Sequence, residues 1–201
     1  MQKKIAYIMI FTAISLLGAQ ALAQVELDEK MLKLEGKKDR YFEAGMREYG
    51  ISGGFGHGEE RQSINDLVLL PKIGFFIADF DKVKGAVELE LEPVLGMFVT
   101  PSNAIETGLN LLFTYNFETG TKLVPYFSAG AGFLYTNLQV HELGSEFNGS
   151  PQGGPGLKYM LNDKTAISFQ TRFHHISNAG TASHNHGINS WLFLFGVDFY
   201  H

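Results

Sequence analysis

Val87-Glu88-Leu89-Glu90-Leu91-Glu92 alternates an apolar residue with a carboxylate at every step. An extended strand sends successive side chains to opposite faces, so this stretch puts three aliphatic groups on one side and three glutamates on the other. The same rhythm continues downstream. Ile105, Leu109, Leu111, Phe113, Tyr115 and Phe117 share one parity, and Glu106, Asn110, Thr114 and Asn116 share the other. Near the C-terminus, Trp191, Phe193, Phe195, Val197 and Phe199 oppose Ser190, Gly196 and Asp198. Period-two patterning begins near Tyr41 and lasts to the end of the chain. It predicts eight strands, about Glu43 to Phe55, Asp66 to Asp79, Lys84 to Leu95, Ile105 to Phe117, Lys122 to Asn137, Gln152 to Leu161, Thr165 to Ser177 and Asn189 to Tyr200.

Alternation alone also suits a soluble sandwich. Strand length separates the two, because segments of roughly nine to fourteen residues match membrane-spanning strands. The polar face carries Glu88, Glu90, Glu106, Lys72 and Arg172 beside Gly130 and Gly132, as a narrow ion-paired lumen requires. Connections at Asp79 to Lys84, Glu118 to Thr121 and Asn162 to Lys164 read as tight turns. Those at Gly56 to Asn65, Gly96 to Ala104, Leu138 to Pro151 and Asn178 to Ile188 read as long loops. Short turns on one side and long loops on the other mark an outer-membrane barrel. The expected fold is all-β, an eight-stranded antiparallel transmembrane β-barrel over residues 41–201. Side chains fill a lumen of that size.

The N-terminus reads as an export signal. Lys3 and Lys4 precede an apolar run from Ile5 to Gly18, and Ala21-Leu22-Ala23 forms a small-residue cleavage site. Residues 1–23 are therefore expected to be a cleaved signal peptide, and residues 24–40 a polar N-terminal arm. The formal net charge of −5 becomes more negative once Lys3 and Lys4 leave. An acidic chain without a basic block excludes nucleic acid as a natural partner. The chain has no cysteine, which rules out disulfides, a thiol nucleophile and thiolate metal sites.

One segment breaks the pattern with chemistry. In His174-His175-Ile176-Ser177-Asn178-Ala179-Gly180, His175 and Ser177 share the apolar face with Phe173, Phe169 and Ile167. If the last two strands pair around a loop centred near Ser183, Ser177 lies opposite Asn189 and His175 opposite Trp191. Three polar groups then gather on the outer face at the loop end. Ser177 can attack an ester carbonyl, His175 can take its proton and return it to the leaving alcohol, and Asn189 can hold the imidazole in the useful tautomer. Backbone N–H groups of Asn178 and Gly180 are candidate oxyanion-hole donors. A purely structural account makes the same residues the polar rim where a strand leaves the bilayer.

His175-x-Ser177-Asn178-Ala179-Gly180, followed by Asn185-His186-Gly187-Ile188-Asn189, resembles the signature of the outer-membrane lipid A 3-O-deacylase family. The resemblance implies an eight-stranded barrel in the Gram-negative outer membrane. It further implies a serine esterase acting on the 3-O-linked acyl chain of lipid A in lipopolysaccharide, with His175 and Ser177 as the catalytic pair and oxyanion amides within Asn178 to Gly180. No cofactor and no metal are expected, and a homodimer is left open. The family's third triad member is a glutamate, where this chain has Asn189. An amide oxygen still accepts from the imidazole N–H but brings no negative charge, so a slower or retuned enzyme is expected. The competing reading is a non-enzymatic small barrel with a binding or envelope-stabilising role.

Other candidates reduce to structure. His184 and His186 lie in a loop without a third ligand at diagnostic spacing. Gly53-Gly54-Phe55-Gly56 and Gly153-Gly154-Pro155-Gly156 open no helix and cradle no phosphate. Glu88, Glu90, Glu92 and Glu106 are expected to form interior ion pairs with Lys72, Lys158 or Arg172.

Overall fold

Strands can cross hydrocarbon only when every backbone polar group finds a partner in the sheet, which requires closure. The computed structural model describes residues 40–201 and has that form. Its strands are β1 (Arg47–Glu59), β2 (Ser63–Phe80), β3 (Gly85–Thr100), β4 (Ala104–Phe117), β5 (Leu123–Thr136), β6 (Phe147–Asn162), β7 (Thr165–Ile176) and β8 (Ile188–Tyr200). Each pairs antiparallel with the next, and β8 returns to β1 to close the barrel. The expected signal peptide and all of the arm except Arg40 lie outside the described residues.

Face assignment follows the sequence parity. Glu88, Glu90 and Glu92 are buried in the lumen, while Leu91, Leu109, Phe113, Trp191 and Phe195 stand exposed on the outer wall. An apolar belt of this extent is matched by lipid and not by water.

Three details differ from the sequence reading. First, only two of the four outer connections are long, residues 137–146 and 177–187; those at 60–62 and 101–103 are tight. The Gly53–Gly58 stretch, read partly as loop, pairs with β2 and β8 because its bare α-carbons let neighbouring strands close in. A Cβ at Gly54 would lie 2.0 Å from the Phe193 carbonyl oxygen. Second, β6 begins at Phe147, five residues before the expected Gln152. Third, the lumen is layered. Its outer half is rich in apolar side chains, with Ile64, Leu70, Phe98, Leu134, Ile176 and Leu192 packed together beside the buried Asp66 and Glu106. Both faces are apolar where alternation lapses, as in Leu67-Val68-Leu69-Leu70.

The middle layer carries the ion pairs. Lys158 Nζ donates to Glu48 Oε2 at 2.7 Å and lies 3.5 Å from Glu88 Oε2. The rings of Phe42, Tyr126 and Tyr200 surround it at 5.3–5.5 Å. Lys72 pairs with Glu48 and, at 3.2 Å, with Asp198. Arg172 grips Glu92 with both terminal nitrogens, at 2.7 and 3.2 Å, and directs its remaining N–H groups to Gln152 and Gln170. All five guanidinium donors are thereby satisfied. Glu106 departs from the expected pairing, because it stands beside Asp66 and not beside a cation.

The periplasmic end is plugged from the N-terminal side. Phe42 is fully buried, stacked on Phe76 at 4.9 Å and tilted against Tyr200 at 4.9 Å. Glu118 accepts from the backbone N–H groups of Tyr41 and Phe42, and Arg40 pairs with Asp79 and Asp81. Burial pushes the Glu118 carboxyl above its ordinary range, against the opposing pull of those N–H donors. Residues Arg40–Thr119 and Leu123–His201 form one compact unit, with no channel needed to explain its packed interior.

Candidate active site

Strand β7 ends at Ile176, whose side chain is buried in the lumen. Its neighbours His175 and Ser177 are half-buried on the opposite face, the outer wall. His174 points inward, as its parity requires, and is buried. The β7–β8 register differs from expectation by two residues. His175 pairs with Asn189 and Phe173 with Trp191, whereas Ser177 leaves β8 and bridges Gly149 of β6. A two-residue slip preserves the face of every side chain. The polar group therefore still assembles on the outer wall, with different neighbours.

The new register brings His175 and Asn189 into direct contact, with Nδ1 2.8 Å from Asn189 Oδ1. Ser177 Oγ makes no hydrogen bond to another described residue. Catalytic hydroxyl–imidazole bonds are commonly long without substrate and tighten in the complex. The Ser–His hydrogen bonds among the described residues both lie inside the lumen, on His174: Ser150 Oγ to Nε2 at 2.8 Å and Ser190 Oγ to Nδ1 at 3.5 Å. All three residues are buried there, away from the outer wall.

Two of the proposed oxyanion donors are already engaged. Asn178 N–H donates to Asn185 Oδ1, and Gly180 N–H donates to Asn178 Oδ1, both at 2.9 Å. These bonds, with Thr181 N–H and hydroxyl donating to Asn178 O, knit the 177–187 loop. Ala179 N–H has no acceptor among the described residues. Ala179 sits at φ 53, a left-handed conformation uncommon for a residue with a side chain and concentrated at functional positions.

Gly187 shapes the imidazole's position. Its φ is +76, and a Cβ there would lie 2.5 Å from His175 Cε1 and 3.0 Å from Nε2. Gly187→Ala should both strain the turn and push the ring aside. A displacement of about 1 Å costs a positioned catalytic group on the order of 100-fold. The expected result is that loss in kcat/KM for ester hydrolysis through His175 with the barrel still folded, measured on purified protein in detergent.

An apolar groove of about 550 Å³ opens beside this cluster, lined among others by Leu109, Phe133, Tyr135, Phe147, Gly149 and Ala179. Across the outer wall, Ser177 neighbours Gly149, Gly149 neighbours Phe133, and Phe133 neighbours Leu109. Phe133 and Phe147 are 85% and 71% exposed. Gly149 leaves an open floor between them and Ser177, because a Cβ there would meet nothing closer than 3.7 Å.

Sequence reasoning missed two groups. Glu60, in the tight β1–β2 turn, accepts from Asn189 N–H at 2.9 Å and from Asn189 Nδ2 at 3.0 Å. It lies 129 residues from Asn189, and no spacing rule connects them. His141, in the 137–146 loop, joins His184 and His186 at ring-centroid distances of 5.0 and 5.8 Å. Among the described residues, no three His, Asp or Glu side chains converge as a metal ion requires.

Comparison with known proteins places this geometry in context. The family model for lipid A 3-O-deacylase (PagL) matches residues 73–198, which include His175, Ser177 and Asn189. No functionally curated protein is similar at a significant level. Among solved structures, the outer membrane enzyme PagL is 21% identical with a TM-score of 0.54, over 74% of this chain and 97% of its own. Neisserial surface protein A is 14% identical with a TM-score of 0.57, over 78% of this chain and 97% of its own. Similarity at that level establishes the barrel, and the family match extends from β2 to β8. This chain, a barrel of the Gram-negative outer membrane, belongs to the lipid A 3-O-deacylase (PagL) family.

Proposed function

We propose that this protein is a serine esterase that removes the 3-O-linked acyl chain from lipid A. Ser177 Oγ attacks the ester carbonyl carbon while its proton passes to His175 Nε2. The new O–C bond forms a tetrahedral intermediate, whose collapse breaks the bond to the sugar oxygen. The imidazolium returns the proton to that leaving alcohol. Water, deprotonated in turn by His175, then releases the fatty acid from Ser177. Ala179 N–H is the amide of the turn without a competing acceptor, and we assign it to the oxyanion. Asn178 and Gly180 N–H can serve there only if Asn185 Oδ1 and Asn178 Oδ1 turn away.

The observation that supports this reading most directly is the apolar groove that begins one strand from Ser177. An ester bound at Ser177 from the outer leaflet can lay its acyl chain over Gly149 toward Phe133 without leaving the lipid-facing wall. The substrate enters sideways, from the membrane. Lipopolysaccharide incubated with the purified barrel should lose the mass of one hydroxyacyl group and yield the free hydroxy acid. An unchanged lipid A spectrum would leave only a non-enzymatic barrel.

Gly149→Leu tests the groove. Displacing three methylenes, at about 0.8 kcal/mol each, should raise KM by about 50-fold with kcat little changed, since the lost contact is uniform binding. Steady-state kinetics on lipopolysaccharide check it. An equal fall in kcat would place Gly149 in the transition state instead.

A further inference from the structure

We propose that Glu60 is a positioning residue that sets the tautomer of His175 through the side-chain amide of Asn189. Its kinetic consequence rests on the esterase reading above; its structural consequence does not.

The hydrogen-bond polarity leaves one arrangement. An ionised carboxylate only accepts. Asn189 sends both its backbone N–H and its Nδ2–H to a single oxygen, Glu60 Oε1, at 2.9 and 3.0 Å. With Nδ2 committed, the end of the amide facing His175 is Oδ1, 2.8 Å from Nδ1. An amide oxygen cannot donate, so Nδ1 carries the hydrogen. Nε2 then holds a lone pair, the form that accepts the Ser177 proton. Without Glu60 the amide is free to turn and present Nδ2–H to Nδ1. That state puts the hydrogen on Nε2, where it blocks general-base action.

Barrel closure makes the contact. β1 pairs with β8 as far as His57 opposite Trp191, so the turn that follows β1 comes to Asn189. Gly58 permits the approach, since a Cβ there would lie 2.4 Å from the Asn189 carbonyl oxygen. Glu60 also lies outside the residues that match the family model. The negative charge missing at position 189 thus stands one hydrogen bond further out, on another strand pair.

The test uses full-length protein labelled with 15N-histidine in detergent micelles, with the rings neutral and the His175 signals identified by their loss in His175→Gln. Wild type should show His175 as the Nδ1–H tautomer. Glu60→Ala should shift the population toward Nε2–H and lower kcat about tenfold or more at unchanged KM. Glu60→Gln, whose carbonyl still accepts from both N–H groups, should keep the wild-type tautomer and most of kcat. Glu60→Lys, a donor in place of an acceptor, should turn the amide over and perform worse than alanine. A dominant Nδ1–H tautomer in Glu60→Ala, or a glutamine variant no better than alanine, would overturn the proposal. An inactive wild type would defeat the esterase reading while the tautomer comparison still decides the role of Glu60.

Discussion

Lipid A from cells producing the Ser177→Ala variant should keep its full acyl complement, whereas lipid A from cells producing the wild-type barrel should lose one hydroxyacyl chain. Removing the nucleophile of a serine hydrolase lowers turnover by about 10⁴-fold or more, and what survives comes from oxyanion stabilisation and binding. The variant should still fold, because Ser177 Oγ bonds no other described side chain and its backbone bridge to Gly149 does not involve the hydroxyl. Ser150→Ala is the matched control. Ser150 belongs to a buried lumen network with His174 and Gln152, so its loss should leave acyl release intact. Mass spectrometry of lipid A from the two strains gives the answer. If Ser150→Ala abolishes release and Ser177→Ala does not, the chemistry lies in the lumen and the lateral-entry mechanism is wrong.

The largest stability effect is expected from Lys158→Met. Lys158 is fully buried between Glu48 and Glu88 and ringed by three aromatic side chains. Methionine fills most of the same volume but leaves two carboxylates facing each other without the central cation. Breaking a buried pair from one side costs about 3–5 kcal/mol, chiefly from the unpaired charge that remains. Adding Glu48→Gln and Glu88→Gln should recover most of that loss, since Lys72 keeps Asp198 at 3.2 Å. Trp191, the sole tryptophan, sits on the lipid-facing wall and reports unfolding in urea by its fluorescence. Equal stability of wild type and the single variant would mean that the lumen charges are hydrated or protonated and contribute little.

The barrel was legible because strand parity is a local property. Val87 to Glu92 and Ile105 to Phe117 announce their faces residue by residue, whatever they later pair with. Parity also carried His175, Ser177 and Asn189 to the outer wall, although the expected β7–β8 register was two residues out. The error had a physical source. Register depends on how the 177–187 loop folds, and Asn178 and Asn185 tie that loop through side-chain bonds that no periodicity reports. The glycine-rich stretch of β1 misled for a similar reason. Glycine reads as a loop residue, yet here it lets β1 approach β2 and β8 closely.

By itself, then, the sequence determined the strand count, which face of each strand meets lipid, and which hydroxyl and imidazole share that face. Tertiary structure alone decided that His175 meets Asn189 directly, that Ser177 bridges Gly149 at the edge of an apolar groove, and that Glu60 stands behind Asn189. The division follows from distance along the chain. Alternation is written between neighbours two residues apart, whereas β1 reaches β8 only once the sheet has closed, and a contact across 129 residues exists only after closure.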